Sequence, residues 1–297
     1  MTRQLLLLSL VFAATLGSAQ KIVGGPFVTM QVPRTATIVW IVQDQQVTVT
    51  PAAGFGATNY PALHAEKTTL TGLQPNTKYD YTVAGGALKG SFKTPPAPNG
   101  ADPFRFVVYG DTRTRHDVHR RVMDTLVKTV IPDFVIDNGD QVENGYDAAL
   151  WPIFFDIEKE LLRQTVYFPA IGNHERNSSY YYELFLQKSG YYSFDWGNAH
   201  FIVMNTDINN FSTSPKERDA MWAEQVRWLE QDLQEHQSAT WRFVNGHHPP
   251  MSAVARRQDG NPHMTALIPM FEKYKVNALF FGHDHNYQHY LKNGIHY

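Results

Sequence analysis

Five times beyond residue 100 this chain repeats one local arrangement. An apolar run of strand length reaches a glycine, and a side chain able to hold a metal ion follows at once. The runs 104–109, 134–137, 166–171, 241–245 and 278–281 lead into Gly110-Asp111, Gly139-Asp140, Gly172-Asn173-His174-Glu175, Gly246-His247-His248-Pro249 and Gly282-His283-Asp284-His285. Helical spacings separate them: Val118, Val122, Leu126 and Val130, then Trp222, Val226, Leu229 and Leu233. Apolar strands alternating with amphipathic helices predict an α/β domain with buried strands. Open α/β sheets bind ligands beyond the carboxyl ends of their strands, so the five ends would gather Asp111, Asp140, Asn173, His247, His283 and His285. The glycines let the backbone turn sharply and approach an ion closely. A single Gly-Asp is an ordinary turn; five endings in one strand-loop context define a site.

The first third reads differently. Residues 36–42, 46–50, 68–71, 79–84 and 90–94 alternate apolar and polar side chains between turn residues, which predicts a small antiparallel sandwich. Trp40 is its expected core aromatic. Residues 73–79 (LQPNTKY) resemble the fibronectin type III corner, in which the tyrosine, here Tyr79, bonds back to the backbone. Three prolines and a glycine in residues 94–100 can continue neither ladder nor helix. The expected organisation is a leader at 1–19, a β domain at 20–96, a linker at 97–102 and an α/β domain at 103–297.

Composition excludes several classes. The chain has no cysteine, which removes disulfides, thiolate zinc sites and cysteine nucleophiles together. Lys+Arg 26 against Asp+Glu 28 gives a net charge of −2, so bulk positive charge draws in neither nucleic acid nor a membrane surface. Of 13 histidines, seven lie in the last 51 residues. Clustered histidine without cysteine points to a metal held by nitrogen and oxygen. At the N-terminus Arg3 precedes an apolar run over 5–16 and the small residues Gly17-Ser18-Ala19. That run is shorter than the roughly 20 residues a bilayer span needs, and it follows the pattern of a cleaved secretory leader. The expected location is secreted or periplasmic, with no membrane span.

The motif series resembles the calcineurin-like metallophosphoesterase superfamily. With the fibronectin-like leader it is most similar to the purple acid phosphatase branch, over roughly residues 24–297. The resemblance implies two sheets in a β-sandwich flanked by helices, and two divalent or trivalent metal ions, Fe, Mn or Zn. Asp140 would bridge them. Asp111 and His285 would complete the first site; Asn173, His247 and His283 would complete the second. The implied activity is hydrolysis of a small phosphate ester by a metal-activated hydroxide. His174 is expected beside the phosphate and leaving group, able to donate a proton. His263 is expected either to face the substrate or to be a plain loop histidine. His248 is expected to pack or orient, and His116, His119, His289 and His296 to lie on the surface or in strands.

Two positions depart from the family pattern. Many members carry Asp-x-His at the first motif, where this chain has Asp111-Thr112-Arg113. Purple acid phosphatases place a tyrosine three residues after the bridging aspartate, where this chain has Glu143. The first site is therefore left with three protein ligands. Two readings of Arg113 stand side by side: a guanidinium aimed at the substrate phosphate, or an ion pair with Glu143 or Glu175. For the whole protein the phosphomonoesterase reading has two alternatives. One is a phosphodiesterase or nucleotidase with the same metals, its leaving-group pocket set by loops such as 177–182 and 207–218. The other is a non-catalytic surface module. The final residues read as a hairpin with an Asn293-Gly294 turn.

Overall fold

The computed structural model describes residues 21–44, 47–49, 58–60, 63–257 and 261–297. The leader expected at 1–19 lies outside the described residues. The chain opens with β1 (Lys21–Val32) and β2 (Thr35–Gln43), followed by β3 (Val47–Val49), β4 (Thr58–Tyr60) and β5 (Leu63–Leu70), then the hairpin β6 (Lys78–Val83) and β7 (Leu88–Lys93). The alternating part continues with β8 (Phe106–Tyr109), α1 (His116–Thr125), β9 (Phe134–Asp137), α2 (Leu150–Leu162), β10 (Val166–Pro169) and α3 (Ser179–Leu184). After these come β11 (Tyr192–Trp196), β12 (Ala199–Val203), α4 (Pro215–Glu235), β13 (Trp241–Asn245), α5 (Pro262–Thr265), α6 (Ile268–Lys273), β14 (Ala278–Phe280), β15 (Leu291–Lys292) and β16 (Ile295–His296).

Two six-stranded sheets carry the fold. One runs β5-β2-β1-β10-β9-β8 and the other β11-β12-β13-β14-β16-β15. Strands β8, β9 and β10 are parallel, as are β12, β13 and β14. Their carboxyl ends deliver the motif loops. The period-2 alternation of β9 shows why the sheets stack. Phe134 and Ile136 face the other sheet, while Val135 faces the helices. Between the sheets Phe168 stacks on Phe194 at 3.6 Å and Phe134 meets Phe201 edge-on at 5.2 Å. Outside the first sheet, Trp151, Phe154 and Phe155 of α2 close a second core. Outside the other, Leu229 and Leu233 of α4 and Phe271 of α6 cover Ile202, Val244 and Leu279. Each fully buried aromatic or aliphatic side chain contributes about 1.5–3 kcal/mol.

Helix α4 shows how local sequence sets these elements. Ser214 caps it by accepting from Glu217 N–H, and Pro215 fills the first turn, where no N–H is needed. At the far end Asn293 and Gly294 adopt φ of 51° and 81°, the turn that an Asn-Gly hairpin requires.

The N-terminal third is all-β, and Tyr79 Oη accepts from Gln74 N–H at 2.9 Å, the corner bond expected of it. Trp40 is buried in the core. The pairing nonetheless crosses the proline-rich segment: β1 joins β10 in parallel at Val28–Val166, and Ser91 N–H donates to Arg163 O. Trp40, Tyr81 and Phe92 belong to the same core as Phe134 and Phe168. Among the strands that escape the sequence pattern are β1 and β11. β1 is broken by Gly24-Gly25-Pro26, which reads as a turn but forms register shifts in a strand pressed onto α2. A Cβ at Gly24 would lie 2.7 Å from Phe155, so glycine lets the strand and helix approach. β11 escapes because only Phe194 and Trp196 of its five residues are buried.

Candidate metal centre

The motif loops converge at the carboxyl ends of β8, β9, β10, β13 and β14. Asp111, Asp140, His283 and His285 all have positive φ, at 57°, 57°, 72° and 48°. Non-glycine residues rarely hold this conformation, and its clustering marks loops over-determined by their surroundings. The two central loops touch: a Cβ at Gly139 would lie 2.5 Å from Gly172 N, and one at Gly172 would lie 2.3 Å from Asp140 Oδ1.

Four candidate ligands form an inner cage. His247 is fully buried, and its Nδ1–H donates to Asn138 O at 2.8 Å. This fixes the tautomer, so the Nε2 lone pair points inward. Nε2 faces Asn173 Oδ1 at 3.1 Å, His283 Nδ1 at 3.3 Å and Asp140 Oδ1 at 3.4 Å. Lone pairs would meet lone pairs unless His247 gained a second proton or a cation sat among them. In the bare protein, burial opposes that proton, but the hydrogen bond and charge of Asp140 prevail and push the His247 pKa up to about 9. Burial works against ionised Asp140 as well, yet His247 holds its carboxyl below the usual carboxylate range. Burial, then the charge of His247, drags His283 down to about 4, leaving a neutral imidazole suited to ligation. The donor set of carboxylate, amide and imidazole fits a transition-metal cation.

The outer half is looser. Asp111 Oδ2 accepts from His283 N–H at 2.7 Å. Asp111 Oδ1 lies 3.1 Å from His285 Nε2, buried yet without a hydrogen-bond donor in line, as an oxygen reserved for a cation would be. Arg113 occupies the remaining flank. Its Nε lies 3.3 Å from Asp140 Oδ2, and its Nη1 pairs with Glu143. The guanidinium is thus engaged by carboxylates, one of them the Glu143 partner expected from sequence. His174 stands at the rim with Nδ1–H donated to Glu143 O at 2.8 Å and Nε2 4.0 Å from Asp140 Oδ2. The ring of His263 packs edge-on against Trp222 of α4 at 5.6 Å, and no described contact ties it to the cage.

The sequence reading missed the role of Glu175 and misjudged His119. Glu175 is fully buried, and its carboxylate accepts from Asp140 N, Gly172 N and Val142 N, at 2.8, 2.8 and 3.2 Å. It clamps two ligand loops together. Burial, then Asp140, raises its pKa to about 7. His248 packs, in keeping with the sequence reading, with its ring 4.3 Å from His283 and Nδ1 3.1 Å from Thr206 Oγ1. His119, expected at the surface or in a strand, is buried and bonds Glu158 at 2.6 Å, while Tyr109 of β8 donates to the other Glu158 oxygen at 2.8 Å. Its helical position hides this burial, because the apolar run through Val118 and Val122 points to a different face; Val122 is in fact exposed. Tyr181, in the tyrosine-rich stretch, is core and donates to Pro169 O.

The family model described as calcineurin-like phosphoesterase matches residues 104–287, more than half of the chain. The chain belongs to the calcineurin-like phosphoesterase family, in its purple acid phosphatase-like branch. It is 28% identical over 238 residues to purple acid phosphatase 21 of Arabidopsis thaliana, covering 73% of this chain and 51% of that protein. It is 27% identical over 261 residues to acid phosphatase type 7 of Mus musculus, covering 76% and 57%. The chain thus spans about half the length of these curated relatives. The solved structure of a purple acid phosphatase from yellow lupin (Lupinus luteus) seeds superposes with a TM-score of 0.66 at 17% identity, covering 89% of this chain and 58% of that one.

Proposed function

We propose that this chain is an exported phosphatase that hydrolyses phosphomonoesters at a dinuclear metal centre. The observation that carries the reading is the convergence of Asp140, Asn173, His247 and His283 on one point, with His247 Nε2 facing Asn173 Oδ1 at 3.1 Å, His283 Nδ1 at 3.3 Å and Asp140 Oδ1 at 3.4 Å. Asp140 would bridge the ions, with Asp111 and His285 holding the outer one and the inner cage the other. A bound pair of Fe, Mn or Zn ions supplies acidified water as nucleophile and neutralises charge on the phosphoryl oxygens. The chain's own residues do the rest. Asp140 and Asn173 present oxygens from loops locked by Glu175, so the reacting groups need no reorganisation. His174, with Nδ1–H committed to Glu143 O, holds or releases its second proton at Nε2, in position to protonate the leaving oxygen. Arg113 balances the charge of Asp140 beside the opening. Export rests on the leader pattern at 1–19, and no helix among the described residues is long and apolar enough to cross a membrane.

The test is metal quantification joined to a screen of aryl phosphate monoesters and diesters, on the wild type and Asn173→Ala. Two equivalents of metal, monoester turnover and loss of both in the variant are expected. A protein that stays metal-free after loading with Mn, Zn or Fe and turns over neither ester would end the proposal.

A further inference from the structure

A second cluster of metal-capable side chains lies at the opposite end of the sheet from the cage. His200 stands near the start of β12, in register with Arg242, whereas His247 follows the end of β13. Five residues of extended chain put the two places on the order of 15 Å apart. The His200 ring is buried, with Nδ1 2.8 Å from Asp195 Oδ1 of β11 and Nε2 2.7 Å from Asp232 Oδ2 of α4. One turn beyond Asp232, His236 ends the helix and stacks its ring on His200 at 3.8 Å. One nitrogen of each imidazole and one Asp195 oxygen lie within 4.8 Å of one another.

The bonds behind the rings are those that ligating histidines need. His236 Nδ1 donates to Asp232 O at 2.8 Å, so its lone pair is on Nε2, which meets no partner among the described residues. Asp232 Oδ2 fixes the other ring through Nε2, and its Oδ1 is held in turn by Ser193 Oγ at 2.8 Å. A carboxylate or a backbone carbonyl behind each ring sets tautomer and orientation in metal-binding histidines. Charge favours a cation as well. Among the described residues neither Asp195 nor Asp232 pairs with a lysine or arginine, and only histidines oppose them. Asp195 and His236 also line a cavity of about 210 Å3 beside the proline-rich segment, which gives an ion a way in and room for a water.

We propose that Asp195, His200 and His236 form a further transition-metal site, suited to Zn2+, that latches the end of α4 onto β11 and β12. Two imidazoles and a carboxylate, with water as the fourth ligand, are a donor set that zinc accepts in tetrahedral geometry. The ion takes the place of the proton between His200 Nδ1 and Asp195. His236, whose side chain is 31% exposed, tilts out of the stack to turn Nε2 toward it. The inference does not depend on the hydrolase reading, since no ligand is shared with the cage.

The test is titration of the chelator-treated full chain with Zn2+, on the wild type, His236→Gln and Asp195→Asn. Zinc taken up by the cage is common to all three proteins and serves as the internal reference. The wild type is expected to bind one equivalent more than either variant at matched free Zn2+, with affinity for that equivalent at least about tenfold weaker in each variant. The rise in Tm on adding Zn2+ should shrink in both, a readout that mere loss of the ring stack would not move. Asp195 is exposed and lies on a different element from His236, so its variant keeps the test open if the helix end fails to fold without the stack. Diffraction at the zinc edge from wild-type crystals should show an anomalous peak between Asp195 and His236. Equal uptake and affinity in all three proteins, or no peak at that position, would overturn the proposal.

Discussion

The two halves of the candidate metal centre are built on different principles. The inner half is enclosed: His247 and Asp140 are 0% and 1% exposed, and Glu175 bonds three backbone N–H groups beneath them. The outer half is open. The His285 side chain is 47% exposed, and Arg113 stands on the flank beside Asp140. Burial and fixed backbone donors hold the inner ligands in place before any ion arrives. The outer ligands, Asp111 and His285, lean on each other and leave Asp140 to be shared with Arg113. One half is preorganised, and the other depends on its occupant.

The largest effect expected from breaking this contrast is at His247. His247→Ala should lower turnover of aryl phosphate by about 100-fold or more, the scale of removing one electrostatic stabiliser. Elemental analysis should show the inner equivalent of metal missing; full occupancy would contradict the cage. Glu175→Gln keeps shape but weakens the clamp on Asp140 and Gly172. It should reduce inner-site affinity by roughly 10–100-fold, the range for partners of ligating groups. Titration with a competing chelator reads this, and unchanged affinity would make Glu175 a bystander. Arg113→His sharpens the comparison from the other side. It supplies the imidazole that many relatives have and should raise outer-site affinity by about tenfold. If instead the second equivalent binds more weakly, Arg113 is supporting Asp140 rather than displacing a ligand.

The smallest effect lies away from the centre, at His200. This histidine on β12 bonds Asp195 at 2.8 Å and Asp232 of α4 at 2.7 Å, and stacks on His236. Burial lowers its pKa, but the two carboxylates outweigh burial and the folded value is raised above 6.5. A raised histidine contributes stability that is complete below about pH 6.5 and is lost as pH rises through the folded value. Hydrogen bonds to a charged group are worth about 1.5–3 kcal/mol. Metal-free protein should therefore lose Tm as pH climbs above 6.5, and Asp195→Asn should flatten that slope. The same slope in both proteins would remove His200 as its source.

How much of this was legible in sequence depends on range. Motif order, the strands feeding it and the Asn293-Gly294 turn were readable, because strand period, glycine position and turn chemistry are local. The corner bond of Tyr79 was readable for the same reason. β1 was not, since Gly24-Gly25-Pro26 makes sense only with Phe155 lying across it. Nor was the burial of His119, whose partner Glu158 is 39 residues away.

The amino-acid sequence by itself determined which side chains could bind metal, and that they stand at the ends of apolar strands. Only the tertiary structure decided that Arg113 pairs with Asp140 and Glu143, and that His263 packs on Trp222. The physical reason is that ligand type and local period are written in short stretches of chain. Which donor meets which acceptor is settled by sheet stacking, between residues far apart in the chain.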